Sequence, residues 1–575
     1  MPSQIGGIFP ENIHGGHNKR SFRFHIIGRG SYILRMIVVV ILFIAAMGIL
    51  TTRLFELTII KGKYYQELSQ GNRTRERKIV APRGIIYDRN GQPLVHNIPK
   101  SGGDITREYT YGAVFSHALG YIGEISPEEL RQLNSNLPDS LLYFPGDAIG
   151  KSGVEQYYEE RLRGIDGKKL IEVDAKGAYI GDLGRVDPKP GQNINLSLDL
   201  DLQKIASNLL SGQKGAIIAT VPQTGEVLTL YSSPSFDPNQ LIRGENVNEI
   251  LQSIDMPLFD RAIGGAYPPG STFKIVAAIA ALESGAITPS TQVEDVGVLE
   301  IGQFRFPNWY FNQYGKKEGM VDIVKAIKRS NDIFFYKAAE AVGIERLSSW
   351  AKKMGLGERL GIDLTGEEKG VVPDVLWKEK VKGEKWFLGD TYHMAIGQGD
   401  LLTTPLQVNS WTNLVANGGK FCRPHLLKIQ NPLRRRSGQA KSKDANEECK
   451  DLGLKKETID LVREGMKEAC SPGGTGWPLF KFKIQNSKIK TDGLDFLQTE
   501  ESTTSGKPMV EIPTACKTGT AEYGDPAGKT HAWFTIFAPV YNPQISVTVL
   551  VEGGGEGSNV AAPMAKKMLE EWFGR

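Results

Sequence analysis

The sequence predicts an α+β body carried behind one membrane-spanning helix. Three observations lead there. Met36 to Thr52 is an uncharged, strongly apolar run followed by polar sequence. From residue 215 onward two apolar strands are followed by a long helical stretch, three more strands and a closing helix. Strands at both ends of a helical block form one antiparallel sheet with a helical lobe inserted. Between span and sheet, residues 107–190 mix short strand and helix patterns with many turns.

Composition sets the outer bounds. A chain of 575 residues is too long for one ordinary domain. At 40% hydrophobic and 23% charged it is neither mainly disordered nor polytopic in a membrane. Its four cysteines, Cys422, Cys449, Cys470 and Cys516, form no C-x-x-C pair, which argues against a zinc ribbon or a disulfide-dense scaffold. Their disulfide state stays open at this point.

Charge is localised. Lys19, Arg20, Arg23, Arg29 and Arg35 stand against Glu11 alone and account for the whole net charge of +4. The rest of the chain is balanced, which gives no support to a strongly basic nucleic-acid-binding body. As a helix, the apolar run spans about 26 Å at ~1.5 Å per residue, and Leu54, Phe55 and Leu57 extend it. The basic tail precedes it, so the positive-inside rule keeps that tail cytoplasmic and everything after residue 60 outside. A cleaved signal peptide is the alternative; the run is long for one, and no A-x-A site follows. The expected divisions are a basic tail (1–35), a span (36–58), a membrane-proximal pedestal (59–195) and a catalytic domain (196–575).

Within the pedestal, 61–80 reads as a polar helix running into Arg73, Arg75, Arg77 and Lys78. A strand with an Asp88-Arg89-Asn90-Gly91 turn follows, then a Ser-Gly-Gly seam at 101–103, and a helix from Gly150 through Leu162. In the catalytic domain, 215–221 and 226–231 are strands, as are the segment through 517–520, 533–537 and 545–551; Pro563 to Phe573 is a helix. Residues 431–450 and 487–508 read as solvated loops.

Three short motifs carry chemistry. Pro268-Pro269-Gly270 precedes Ser271-Thr272-Phe273-Lys274, placing Ser271 at or near a helix N-terminus with Lys274 on the same face. A serine hydroxyl needs a base, and a lysine serves only when neutral, a state that burial and neighbouring cations favour. Alone the pattern is equally a capping serine beside a surface lysine. Ser330-Asn331-Asp332 opens an apolar helix, where Ser330 or Asp332 could be an ordinary cap. Lys517-Thr518-Gly519-Thr520 puts a cation, hydroxyls and a glycine in a strand, which suits a carboxylate ligand or an exposed edge.

The three together, in the order S-x-x-K, S-x-D and K-T-G, are far more specific than any one of them. With them the chain resembles the class B penicillin-binding proteins, most closely the elongation-type penicillin-binding protein 2. The resemblance includes Arg83-Gly84-Ile85-Ile86-Tyr87-Asp88-Arg89-Asn90-Gly91, Gly120-Tyr121-Ile122-Gly123, Gly150-Lys151-Ser152-Gly153 and Ser233 through Asn239. It continues in Gly397-Gln398-Gly399, Thr404-Pro405-Leu406-Gln407 and His531-Ala532-Trp533-Phe534. Aspartate at 332 favours the elongation type over the division type. Two departures stand out. About ten residues lie between Asn97 and Arg107, where the family carries a long head subdomain. Residues 275–329 hold no His or Cys, so the zinc site of some members is not expected.

The resemblance implies a penicillin-binding transpeptidase fold and a peptidoglycan D,D-transpeptidase that cross-links stem peptides during cell-wall elongation. It implies that Ser271 attacks a D-Ala-D-Ala peptide, Lys274 takes its proton and Ser330 relays a proton to the leaving amine. Asp332 orders that network, and Lys517, Thr518, Gly519 and Thr520 hold the terminal carboxylate. β-Lactams should acylate Ser271. The implied partners are a RodA-type glycosyltransferase and other elongation-complex proteins, with no cofactor. The rival readings are a D,D-carboxypeptidase or β-lactamase-type hydrolase, and a non-enzymatic sensor or scaffold.

Overall fold

The computed structural model describes residues 29–100, 105–138, 141–174, 176–428, 449–485, 497–502 and 508–575. Residues 1–28 of the expected tail, the seam at 101–103 and the loop over 431–448 lie outside them, whereas the last part of that tail, from Arg29, is already helical. The described chain forms two compact units.

The first unit holds helix α1 (Arg29–Phe55), a π-helical turn (Glu56–Ile60), helix α2 (Gly62–Arg73) and a small sheet. Tyr32–Ile60 is long and apolar enough to cross a membrane. The expected polar helix over 61–80 ends at Arg73. Thr74–Ile79 is instead a strand beside Gly167–Val173, which pairs antiparallel with Tyr179–Val186. Here sheet pairing overrides the local helical pattern.

In the second unit the Asp88 turn forms as expected: its Oδ1 accepts from the Asn90 and Gln92 N–H groups, and Gly91 takes φ +85°. Pro93–Pro99 and Ile105–Tyr109 pair antiparallel, with Asn97 opposite Arg107 and Pro99 opposite Ile105. The helix expected from Gly150 to Leu162 is two short pieces, Gly153–Tyr157 and Glu159–Leu162. In the first of them Glu155, fully buried, bridges Arg83 and Arg107 at 2.7 Å each. Asn239 locks this region to the catalytic domain by exchanging two 2.9 Å hydrogen bonds with the Tyr109 backbone.

The catalytic domain begins with helix α3 (Leu200–Leu209) and strands β1 (Gly215–Thr220) and β2 (Val227–Ser233). The helical lobe includes α4 (Lys274–Glu283), α5 (Ile323–Arg329), α6 (Asp332–Val342), α7 (Pro405–Ala416) and α8 (Lys456–Ala469). Strands β3 (Ala515–Glu522), β4 (Thr530–Ala538) and β5 (Ile545–Val551) and helix α9 (Ala561–Gly574) complete it. The five strands form one antiparallel sheet in the order β2-β1-β5-β4-β3. Alternate residues serve opposite faces. Ile217, Phe534, Ile536 and Val549 pack with α3 and α9, whereas Trp533, Phe537 and Leu550 pack with α4, α6, α7 and α8. Two loop readings need correction: Lys450, at the end of the loop expected over 431–450, pairs with Phe421 in a short two-stranded sheet, and within 487–508, Leu497–Ser502 is a strand paired with Pro508–Glu511.

Candidate active site

Ser271 sits in a single 3-10 turn (Gly270–Phe273) that runs directly into α4. The turn is wedged between two backbones. Gly270 N–H donates to the Gly397 carbonyl at 2.9 Å, and Trp533 Nε1 donates to the Pro268 carbonyl at 2.9 Å. A Cβ on Gly397, at φ +76°, would lie 2.0 Å from the Gly270 oxygen, and one on Gly519 would lie 2.9 Å from Thr272. The glycines of Gly397-Gln398-Gly399 and of the third motif thus let the turn and β3 approach closely.

Lys274 and Lys517 are both fully buried, and both converge on Ser330. Lys517 Nζ donates to Ser330 Oγ at 2.9 Å and to the Thr518 carbonyl at 2.9 Å. Lys274 Nζ lies 3.2 Å from Ser330 Oγ, 2.7 Å from its carbonyl and 2.6 Å from Asp332 Oδ1. Burial pushes the Lys274 ammonium below the ordinary lysine value against the opposing pull of Asp332. Lys517 is driven further down, by burial first and by the neighbouring Lys274 charge second.

Ser330 occupies the break between α5 and α6 with φ 53° and ψ 39°. A non-glycine residue in this region stores backbone strain that the surrounding structure must hold. The cap of α6 is neither Ser330 nor Asp332: Asn331 accepts from the Phe334 N–H. That frees Asp332 to accept from Lys274 and from the Trp309 N–H at 2.8 Å.

Ser271, Ser330, Asp332, Thr518, Gly519 and Thr520 line one cleft of about 1160 Å³. Thr518 Oγ1 bonds Thr475 Oγ1 at 2.9 Å, and Thr475 lies in the loop after Cys470, which is disulfide-bonded to Cys516. His531, also in the cleft wall, stacks on Tyr523 with ring centroids 4.0 Å apart, and burial holds its imidazole below its usual pKa. Sequence reasoning missed Trp309, Tyr336 and Thr475 in this cleft. It quoted His531 only as part of a resembling segment. None sits in a motif with chemistry of its own.

Comparison with known proteins agrees with this geometry. Residues 215–570 match the penicillin-binding protein transpeptidase domain and residues 100–196 the penicillin-binding protein dimerisation domain. The peptidoglycan D,D-transpeptidase MrdA of Escherichia coli K12 is 30% identical, over 95% of each chain. That of Acinetobacter baumannii is 34% identical over 82% of this chain and 66% of its own. Among solved structures, Pseudomonas aeruginosa PBP2 in complex with WCK 5153 superposes with a TM-score of 0.70 at 34% identity, covering 87% of this chain and 96% of that one. Helicobacter pylori PBP2 in complex with MreC gives 0.69 at 28% identity, covering 87% and 98%. Motif order, cleft and likeness over nearly the full length agree: the chain belongs to the penicillin-binding protein transpeptidase family.

Proposed function

We propose that this chain is a peptidoglycan D,D-transpeptidase of the elongation type, working through an acyl-enzyme on Ser271. The observation that carries the reading is the convergence of two buried lysines on Ser330 in the cleft that also holds Ser271 and the Thr518-Gly519-Thr520 strand.

In this reading Ser271 Oγ attacks the carbonyl of the penultimate D-Ala while neutral Lys274 takes the hydroxyl proton. The backbone N–H groups of Ser271 and Thr520 stabilise the oxyanion, where one such donor is worth roughly 3 kcal/mol. As the C–N bond breaks, the proton passes from Lys274 through Ser330 Oγ to the departing D-Ala nitrogen. Lys517, with Thr518 and Thr520, holds the terminal carboxylate. The amine of a second stem peptide then attacks the acyl-enzyme, returns a proton to Ser271 and leaves a new peptide bond. β-Lactams enter by the same first step and remain attached. Water in place of the amine gives the carboxypeptidase outcome.

The helix Tyr32–Ile60 anchors the protein, with the basic tail cytoplasmic and the body outside. Two disulfides, Cys422–Cys449 and Cys470–Cys516, support that placement, because such bonds persist in oxidising compartments. A relative solved in complex with MreC, and a 26% identical structure from a peptidoglycan synthase complex, support assembly with a RodA-type polymerase and other elongation proteins. Fluorescent penicillin followed by peptide mapping tests the chemistry. A stable adduct on Ser271, lost in a folded Ser271→Ala variant, is expected. Labelling that survives the substitution would overturn the assignment, and rapid release of the label would indicate a hydrolase.

A further inference from the structure

Asp295 ends the strand Val293–Asp295 and is 2% exposed. Its Oδ1 accepts from the Gly297 N–H at 2.8 Å. Its Oδ2 accepts from Asn308 Nδ2 at 2.8 Å, the Glu318 N–H at 2.9 Å and Asn331 Nδ2 at 3.0 Å. A buried carboxylate is tolerated only when its lone pairs are satisfied, and here four neutral donors do so.

Both asparagine amides are oriented from their other end as well. Asn308 Oδ1 accepts from the Asp332 N–H at 3.1 Å, and Asn331 Oδ1 accepts from the Phe334 N–H at 2.9 Å. An amide whose oxygen faces a backbone N–H must turn its NH2 the other way, and Asp295 is what lies there. One carboxylate therefore sets two amides, and each amide satisfies an otherwise unpaired N–H in the first turn of α6. Asn308 is bonded in sequence to Trp309, whose N–H fixes Asp332 Oδ2. The other oxygen of Asp332 meets Lys274.

Some class B proteins hold zinc in this stretch with Asp, His and Cys. The residues here do not fit that ion. A zinc ligand must offer a lone pair. Asn308 and Asn331 present N–H groups to Asp295, their oxygens are engaged by α6, and residues 275–329 contain no His or Cys.

We infer that Asp295 is a positioning residue that fixes Asp332, and through it Lys274, by way of the Asn308 and Asn331 amides in place of a bound metal. The inference rests on the transpeptidase reading above. In Asp295→Asn, the new NH2 faces an N–H donor and the charge that gathers the two amides is gone. Asn308→Ala removes the relay to Asp332 while leaving Asp295 its other three donors.

The test is stopped-flow acylation of the full-length purified protein by a chromogenic β-lactam, with thermal unfolding recorded in parallel. Both variants are expected to fold and to form the adduct on Ser271. The acylation rate constant should fall about tenfold or more, with the constant for the reversible complex unchanged. A chelator should leave acylation by the unchanged protein as it was. Undiminished acylation in the two folded variants would overturn the inference, as would a chelator-induced loss restored by zinc. Should Asp295→Asn fail to fold, Asn308→Ala carries the test alone. Absence of any adduct on Ser271 in the unchanged protein would instead remove the transpeptidase reading.

Discussion

Among the described residues the hydrogen-bond partners of Lys517 are Ser330 Oγ and the Thr518 carbonyl, neither of them a carboxylate. Burial and the neighbouring Lys274 disfavour charge on Lys517, and a substrate carboxylate arriving beside it would favour the protonated form and pair with it. Lys517→Ala should slow acylation by carboxylate-bearing ligands about 10- to 150-fold, the equivalent of a charge-assisted hydrogen bond of ~1.5–3 kcal/mol. Equal rates in a folded variant would remove Lys517 from substrate binding. The lowered lysines also set a pH dependence. Lys274 acts as base only when neutral, so acylation should climb with pH up to its depressed pKa and then level off. Asp332 raises the Lys274 pKa, so Asp332→Asn should move that acid limb to lower pH; an unmoved limb would show that Lys274 is not the base. Stability follows the same sign. Between the depressed values and 10.5 the unfolded chain binds more protons at Lys274 and Lys517, so their contribution to stability rises with pH across that window.

At the scale of elements, the junctions of the catalytic domain matter more than its helices and strands. The 3-10 turn of Ser271 and the turn at Gly397 meet by backbone contact, and the α5–α6 break at Ser330 joins them through the Lys274 side chain. Gly397→Ala would put a methyl 2.0 Å from the Gly270 oxygen at φ +76°. It should cost about 1–3 kcal/mol of stability and slow acylation by shifting Ser271. Unchanged melting and acylation would contradict this reading. These junctions also mark what the sequence could and could not reveal. Lys517-Thr518-Gly519-Thr520 was legible because its residues are neighbours on one strand, and the other four strands of the sheet were legible from their largely apolar runs. Asp295, Asn308 and Asn331 were not, because each is an ordinary polar residue until folding brings the three together. The strand Thr74–Ile79 was misread for a related reason: its partner, Gly167–Val173, lies far along the chain.

For the whole molecule, topology is the property to test. A C-terminal reporter that works only outside the cytoplasm should be active, and the Cys422–Cys449 and Cys470–Cys516 bonds should appear as faster migration on a non-reducing gel. A cytoplasm-only reporter that is active at that position would reverse the orientation. The order β2-β1-β5-β4-β3 has a further consequence, for the timing of synthesis. Strand β1 needs β5 on its inner edge, yet roughly 300 residues of chain separate them. At about 5–20 residues per second, the ribosome needs ~15–60 s to supply that partner. For most of that interval Ser271 and α4 have left the ribosome without a completed sheet to lie on. In the proposed topology the catalytic domain would therefore cross the membrane as an open chain and close on the far side only when its last strands arrive. A ribosome that stalls before β5 would leave β1 with an unpaired edge, ready for proteases or for a neighbouring chain.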